Sequence, residues 1–229
     1  MYRYLDPTYI LVLIGVVLSL IASARVKSTF AKYSRFASRS NMTGAQAAET
    51  ILRANGIYDV SVQRVAGELT DHYDPRNKTL NLSEPVYGSN SVAAIGVAAH
   101  ECGHAIQHKE SYAPLEIRGS LVPVANFGSG ASWFFIIGGL FLSFQPLITI
   151  GIVLFSLAVL FQLVTLPVEF NASSRALKAL ESTGTLGSDE LGQTRKVLSA
   201  AALTYVAGAA AAILQLLRLI ILYGGRSRD

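Results

Sequence analysis

Cysteine is nearly absent. A single one, Cys102, in 229 residues excludes an intrachain disulfide framework and any zinc ribbon built on paired cysteines. Charge is scarce as well. Asp, Glu, Lys and Arg make up 15% of the chain, against about 25% in an ordinary soluble domain. That deficit argues against a purely soluble protein and against intrinsic disorder, which needs the opposite composition. The basic excess is small, 19 Lys and Arg over 15 Asp and Glu, so a surface that tracks nucleic-acid phosphates is not expected. What the chain has instead is apolar sequence: 51% of residues are hydrophobic and the mean hydropathy is +0.41.

The uncharged residues fall in runs. Hydrocarbon cannot hydrate charge or satisfy loose backbone groups, so a spanning helix needs about 20 consecutive apolar residues. Residues 7–24 carry no charge, 119–168 form a run of 50 uncharged residues, and 197–217 are uncharged again. The middle run is long enough for two crossings, with Ser143-Phe144-Gln145-Pro146 as the turn. Four spanning helices are expected, at about 8–24, 121–142, 147–167 and 199–222. The last requires Arg218 to snorkel or to face the bundle. Ala22-Ser23-Ala24 resembles a signal-peptide cleavage site. However, the segment before the apolar run lacks the usual positive charge, and Arg25, Lys27, Lys32, Arg35 and Arg39 follow at once. That pattern favours a retained anchor. Residues 25–118 and 168–198 hold 15 of the 19 Lys and Arg. Two crossings separate these segments, so they share a side, and the positive-inside rule makes that side cytoplasmic. Arg3, Arg226 and Arg228 then lie opposite.

Within 25–118, Thr43-Gly44-Ala45-Gln46 fits a capping box opening a helix that stops near Asn55-Gly56. Val60–Val65 reads as a strand. Leu69–Tyr73 and Lys78–Leu82 flank the turn-rich Asp74-Pro75-Arg76-Asn77 and read as a hairpin. Ser89-Asn90-Ser91 supplies N-caps for a helix over about 91–109.

That helix contains His100-Glu101-Cys102-Gly103-His104, an HExxH motif. At about 3.6 residues per turn, the two histidines share one face and can bind one zinc. Glu101 lies about 100° round the helix from His100, placed to reach a metal-activated water as general base. Cys102 projects away from both and is expected to pack. A third protein donor is required if a fourth position is to stay open for water. His108 lies about 12 Å along the axis from His100, too far to share an ion. His72 sits on the hairpin and would coordinate only by an accident of folding. Glu169 is the better candidate, being the first charge after the 50-residue run, just past Pro167. Spacing alone leaves it divided between that role and a carboxylate favouring a helix N-terminus.

At these residues the chain resembles the YugP-like membrane zinc metallopeptidases, which are similar to the broader HtpX-like gluzincins. The resemblance rests on His100–His104 and on Leu166-Pro167-Val168-Glu169-Phe170-Asn171-Ala172-Ser173, and extends through Leu69–Pro75 to nearly the whole chain. It implies a mainly α fold with a small α+β zincin-like domain, a bacterial cell membrane location and a zinc ion. It carries the third ligand to Glu169. HtpX-like enzymes place an Asp four residues beyond that Glu, where this chain has Ser173, so Asn171 or Ser173 is expected to support a ligand histidine. It also implies an edge strand beside the motif helix that receives a substrate peptide, with Lys78–Leu82 the candidate by position. The expected organisation is an anchor at 1–24, a zincin-like domain at 25–118, a two-helix membrane hairpin at 119–167, a membrane-proximal helical segment carrying the third ligand at 168–198, and a last membrane helix with its tail at 199–229.

The expected chemistry is hydrolysis of peptide bonds in unfolded or membrane-protein substrates at the bilayer surface, with His100, His104 and Glu169 as zinc ligands and Glu101 as base. His108, His72, Arg175 and Tyr73 are conceivable oxyanion donors. Two rivals stand beside this reading. A site-2-type intramembrane protease would bury HExxH in a membrane helix, but only eight apolar residues, Val92–Ala99, precede the motif. A non-catalytic scaffold would use zinc only to hold 25–118 together, and would call for a fourth protein ligand.

Overall fold

The computed structural model describes residues 6–224, so Arg3, Arg226 and Arg228 of the charge argument lie outside the described residues. The elements run α1 (Tyr9–Tyr33), α2 (Gly44–Ala54), β1 (Ser61–Val65), β2 (His72–Asp74), β3 (Thr79–Ser83), α3 (Glu84–Tyr87), α4 (Val92–Lys109), α5 (Ala113–Phe141), α6 (Gln145–Ser182) and α7 (Ser188–Tyr223). Four of these helices, α1, α5, α6 and α7, are long and apolar enough to cross a membrane. They reach well past the expected spans. The segment expected at 168–198 is the end of α6, a turn, and the start of α7. Pro167 lies inside α6. It removes one backbone hydrogen bond without ending the helix, which apolar surroundings and packed neighbours make tolerable.

The chain divides into two compact units. The first gathers, among the described residues, 6–23, 116–166 and 204–224. Its helices meet where side chains are smallest. A Cβ on Gly128 would stand 2.9 Å from the Leu154 carbonyl oxygen, and one on Gly151 would stand 2.8 Å from that of Ser132. Small residues at such crossings let backbones approach, which is how helices associate where no hydrophobic drive exists between them. Large apolar side chains such as Phe134 and Phe141 point outward and are exposed. Arg218 is turned inward. It pairs with Asp6 at 3.1 Å and lies 4.1 Å from the Tyr9 ring centroid.

The second unit comprises Ala24–Leu115 and Pro167–Leu203. Its core joins Ile51 and Leu52 of α2, Leu80 and Leu82 of β3, Ile95 and Cys102 of α4, and Leu180 of α6. The Thr43 capping box forms as expected: the Gln46 N–H donates to the Thr43 hydroxyl, and the Thr43 N–H to the Gln46 side-chain oxygen. Gly56 closes the helix with φ +65°, a left-handed conformation that glycine adopts without strain. Ser91 caps α4 through the Ala94 N–H. At the hairpin turn, Asp74 accepts from the Arg76 and Asn77 backbone N–H groups.

The sheet has the order β1-β3-β2, with β1 and β3 parallel and β2 and β3 antiparallel. This corrects one expectation. The Lys78–Leu82 stretch is not an edge, because β3 pairs on both sides and buries Leu80, Asn81, Leu82 and Ser83. The edge that meets the motif helix belongs to β2.

Candidate metal centre

All the residues of the candidate site lie in the second unit. Helix α4 presents His100 and His104 one turn apart, their ring centroids 4.8 Å from each other and nearly perpendicular. Helix α6 brings Glu169 across 69 residues of sequence. Glu169 Oε2 lies 3.2 Å from His100 Nε2 and 3.6 Å from His104 Nε2. The close approach of the two helices depends on Gly103. A Cβ there would stand 2.4 Å from the Ala172 carbonyl oxygen, a separation no side chain can occupy.

The three donor atoms lie within 4.8 Å of one another. Donors held 2.0–2.1 Å from a tetrahedral zinc are about 3.3 Å apart, which the two measured separations bracket. Two imidazole nitrogens and one carboxylate are also a donor set that zinc accepts. The arrangement therefore fits zinc, and among the described residues this group supplies three protein donors.

The far nitrogen of each histidine is held. His100 Nδ1 is 3.1 Å from the Ser173 hydroxyl. His104 Nδ1 is 3.0 Å from Gln107 Oε1. Gln107 is fully buried and spends its amide hydrogens on the Val168 carbonyl and on Asn171 Oδ1, at 2.8 and 2.9 Å. Asn171 Oδ1 also accepts from Arg175 Nε, and Arg175 in turn pairs with Glu110. With the Gln107 oxygen accepting from Nδ1, that nitrogen carries a proton, and Nε2, which faces Glu169, is the nitrogen that would ligate a metal once its own proton leaves. Sequence reasoning expected Asn171 or Ser173 in this supporting role. Ser173 contacts His100 directly, and Asn171 acts at one remove. Gln107 was not foreseen, although a polar residue three positions after His104 on a helix with a buried face is the signal for it.

Burial alone would raise the Glu169 carboxyl, but the hydrogen bonds from His100 and His104 outweigh it and hold the group well below the usual carboxylate range. Burial works against a charged His104, yet its hydrogen bond to Glu169 and the Glu101 charge hold its pKa above the ordinary value.

Glu101 is buried beside the pair. Its Oε2 accepts from the Tyr73 backbone N–H of β2 at 3.1 Å. The Tyr73 hydroxyl is 2.9 Å from His108 Nδ1. His72 lies apart, with its ring nitrogens next to the Thr70 carbonyl and the Asn81 amide. Neither His72 nor His108 joins the cluster. Cys102 is fully buried, its thiol is pushed well up by burial, and it packs against α2 with Sγ near the Ala48 carbonyl.

Residues 8–224 match the family described as putative neutral zinc metallopeptidase. A curated relative, the putative membrane protease YugP of Bacillus subtilis (strain 168), is 51% identical over 213 residues, which cover 93% of this chain and 95% of the relative. No solved structure matches the chain.

Proposed function

This chain belongs to the putative neutral zinc metallopeptidase family, and from that premise we propose that it is a gluzincin-type endopeptidase of the membrane, with His100, His104 and Glu169 as zinc ligands and Glu101 as general base. The observation that carries the reading is the Glu169 carboxylate poised between the Nε2 atoms of His100 and His104, with a second carboxylate, Glu101, on the next position of α4.

Bound there, zinc would acidify water and polarise a peptide carbonyl. The chain's own residues do the rest. Ser173 and Gln107 fix the rotation of the two imidazoles, so that both present Nε2 inward. Glu101, steadied by the Tyr73 N–H, takes a proton from the attacking water and returns it to the leaving amine. The Tyr73 hydroxyl and His108, hydrogen-bonded to each other on the elements that carry the site, are the candidate donors for the developing oxyanion. The substrate lies as an added strand against β2, the edge strand that also steadies Glu101 through its Tyr73 N–H. Extended segments of unfolded or membrane-embedded proteins suit that mode, which is consistent with a quality-control role. The clustering of Lys and Arg in 25–118 and 168–198 supports placing the active site on the cytoplasmic side of a bacterial membrane. The three-donor count favours an enzyme over a zinc-held scaffold, because a structural site would be closed by a fourth ligand. The position of α4 in the core of the second unit counts against an intramembrane motif.

The test is casein cleavage by the full-length protein in detergent, with zinc measured by elemental analysis. Glu101→Gln is expected to keep its zinc while cleavage falls by at least about a hundredfold, the scale of a lost general base. Wild-type cleavage rates in that variant would refute the mechanism. A zinc-loaded wild type with no cleavage would favour the scaffold.

A further inference from the structure

A second built feature lies between α1 and α7. A cavity of about 460 Å³ opens there, within the ordinary size range of a small-ligand site. Four cations converge on it: Arg25 and Lys32 from α1, Arg195 and Lys196 from α7. Ser28, Thr29 and Ser199 add hydroxyl donors, and no carboxylate lines it. Six other cations of the described chain are ion-paired: Arg39 with Asp189, Arg53 with Glu49, Arg64 with Glu84, Lys78 with Asp59, Arg175 with Glu110 and Arg218 with Asp6. None of the four around the cavity forms an ion pair with a described residue. Lys32 instead lies 5.4 Å from the Tyr33 ring centroid.

The position of these residues along the helices is as informative as their charge. Arg25 is the first charge after the uncharged run of α1, and Lys196 is the last before the uncharged run of α7. One helix leaves its apolar stretch at the level where the other enters its own. Uncompensated positive charge at the ends of two apolar helices stands where lipid phosphates lie. We propose that this cavity binds the phosphate of an acidic phospholipid headgroup. The cations neutralise the phosphate, the hydroxyls donate to its oxygens, and the apolar helix faces accompany the acyl chains. The proposal rests on the reading of α1 and α7 as membrane-spanning.

The experiment uses full-length protein purified in detergent and titrated separately with phosphatidylglycerol, phosphatidylcholine and inorganic phosphate, with adducts counted by native mass spectrometry. Phosphatidylglycerol is expected to bind in preference to phosphatidylcholine. Arg25→Gln/Lys32→Gln and Arg195→Gln/Lys196→Gln should each weaken it by about tenfold or more, since one cation facing an anionic headgroup is worth roughly fivefold. Arg76→Gln/Lys178→Gln removes two exposed cations elsewhere in the same unit and should leave binding unchanged. Unaltered zinc content in every variant reports an intact fold. Equal binding of the two lipids, equal weakening by the control pair, or displacement of lipid by stoichiometric inorganic phosphate would each overturn the proposal. Alkaline carbonate extraction of expressing membranes separates this failure from that of its premise. A chain released by carbonate refutes the spanning reading, whereas a retained chain without lipid preference refutes the cavity alone.

Discussion

Two polar clusters of the second unit make opposite use of charge. Around His100, His104 and Glu169, nearly every polar atom has a partner, and the partners have partners, through Gln107 and Asn171 to Arg175 and Glu110. Around Arg25, Lys32, Arg195 and Lys196, no acid answers the base. The first cluster is buried, so an unmatched group would be costly and geometry is fixed by hydrogen bonds. The second is exposed, so its charges can wait in water for an anion. Completeness suits the metal-holding role proposed for the first cluster, where geometry is fixed by hydrogen bonds. Incompleteness marks a surface that recognises charge and little else.

The sharpest break in that comparison is Glu169→Ala. Removing one of three donors, and exposing two buried imidazoles to each other, should abolish stoichiometric zinc and with it all casein cleavage; zinc retained at one per chain would remove Glu169 from the site. Gln107→Leu keeps all three donors but frees the His104 ring, and zinc affinity should fall about 10–100-fold, the usual cost of a lost supporting contact, as read by competition with a chelating dye. Acid should act more gradually. The raised pKa of His104 means that protons compete with zinc already above the pH at which an ordinary histidine would charge, while Glu169, held low, stays ionised. Zinc affinity should therefore fall as pH drops through that range, by up to about tenfold per pH unit for one competing proton; pH-independent affinity would contradict this. Gly103→Ala should lower the unfolding free energy by about 1–3 kcal/mol, the scale of an overpacked contact, measurable as a reduced Tm. The smallest effect belongs to the other cluster: Arg195→Gln/Lys196→Gln should leave zinc affinity unchanged, and a loss there would mean that the two clusters are not independent.

Most of the local structure was legible because its signals are local. The capping box at Thr43, the N-cap at Ser91, the turn at Asp74 and the HExxH spacing each concern residues within one or two turns of each other. Glu169 stood out because it is the first charge after 50 uncharged residues. What was illegible depends on pairing across long separations. Leu80 and Leu82 alternate as any half-buried strand would, and nothing in them announces the parallel pairing with Ser61–Val65 that makes β3 central. Gln107 reads as an ordinary polar residue until α6 arrives against it. Pro167 suggested a boundary, and the structure carries the helix through it because the lost hydrogen bond is one of many.

The separation of the ligands in the chain has a consequence for biosynthesis. His100 and His104 emerge early, but the carboxylate that completes the triad lies on α6, after the 50 uncharged residues from 119 to 168. On the proposed ligand set, two further helices of membrane-crossing length must be made before all three donors are present. A chain truncated after Leu142 should bind zinc no more tightly than a pair of histidines does.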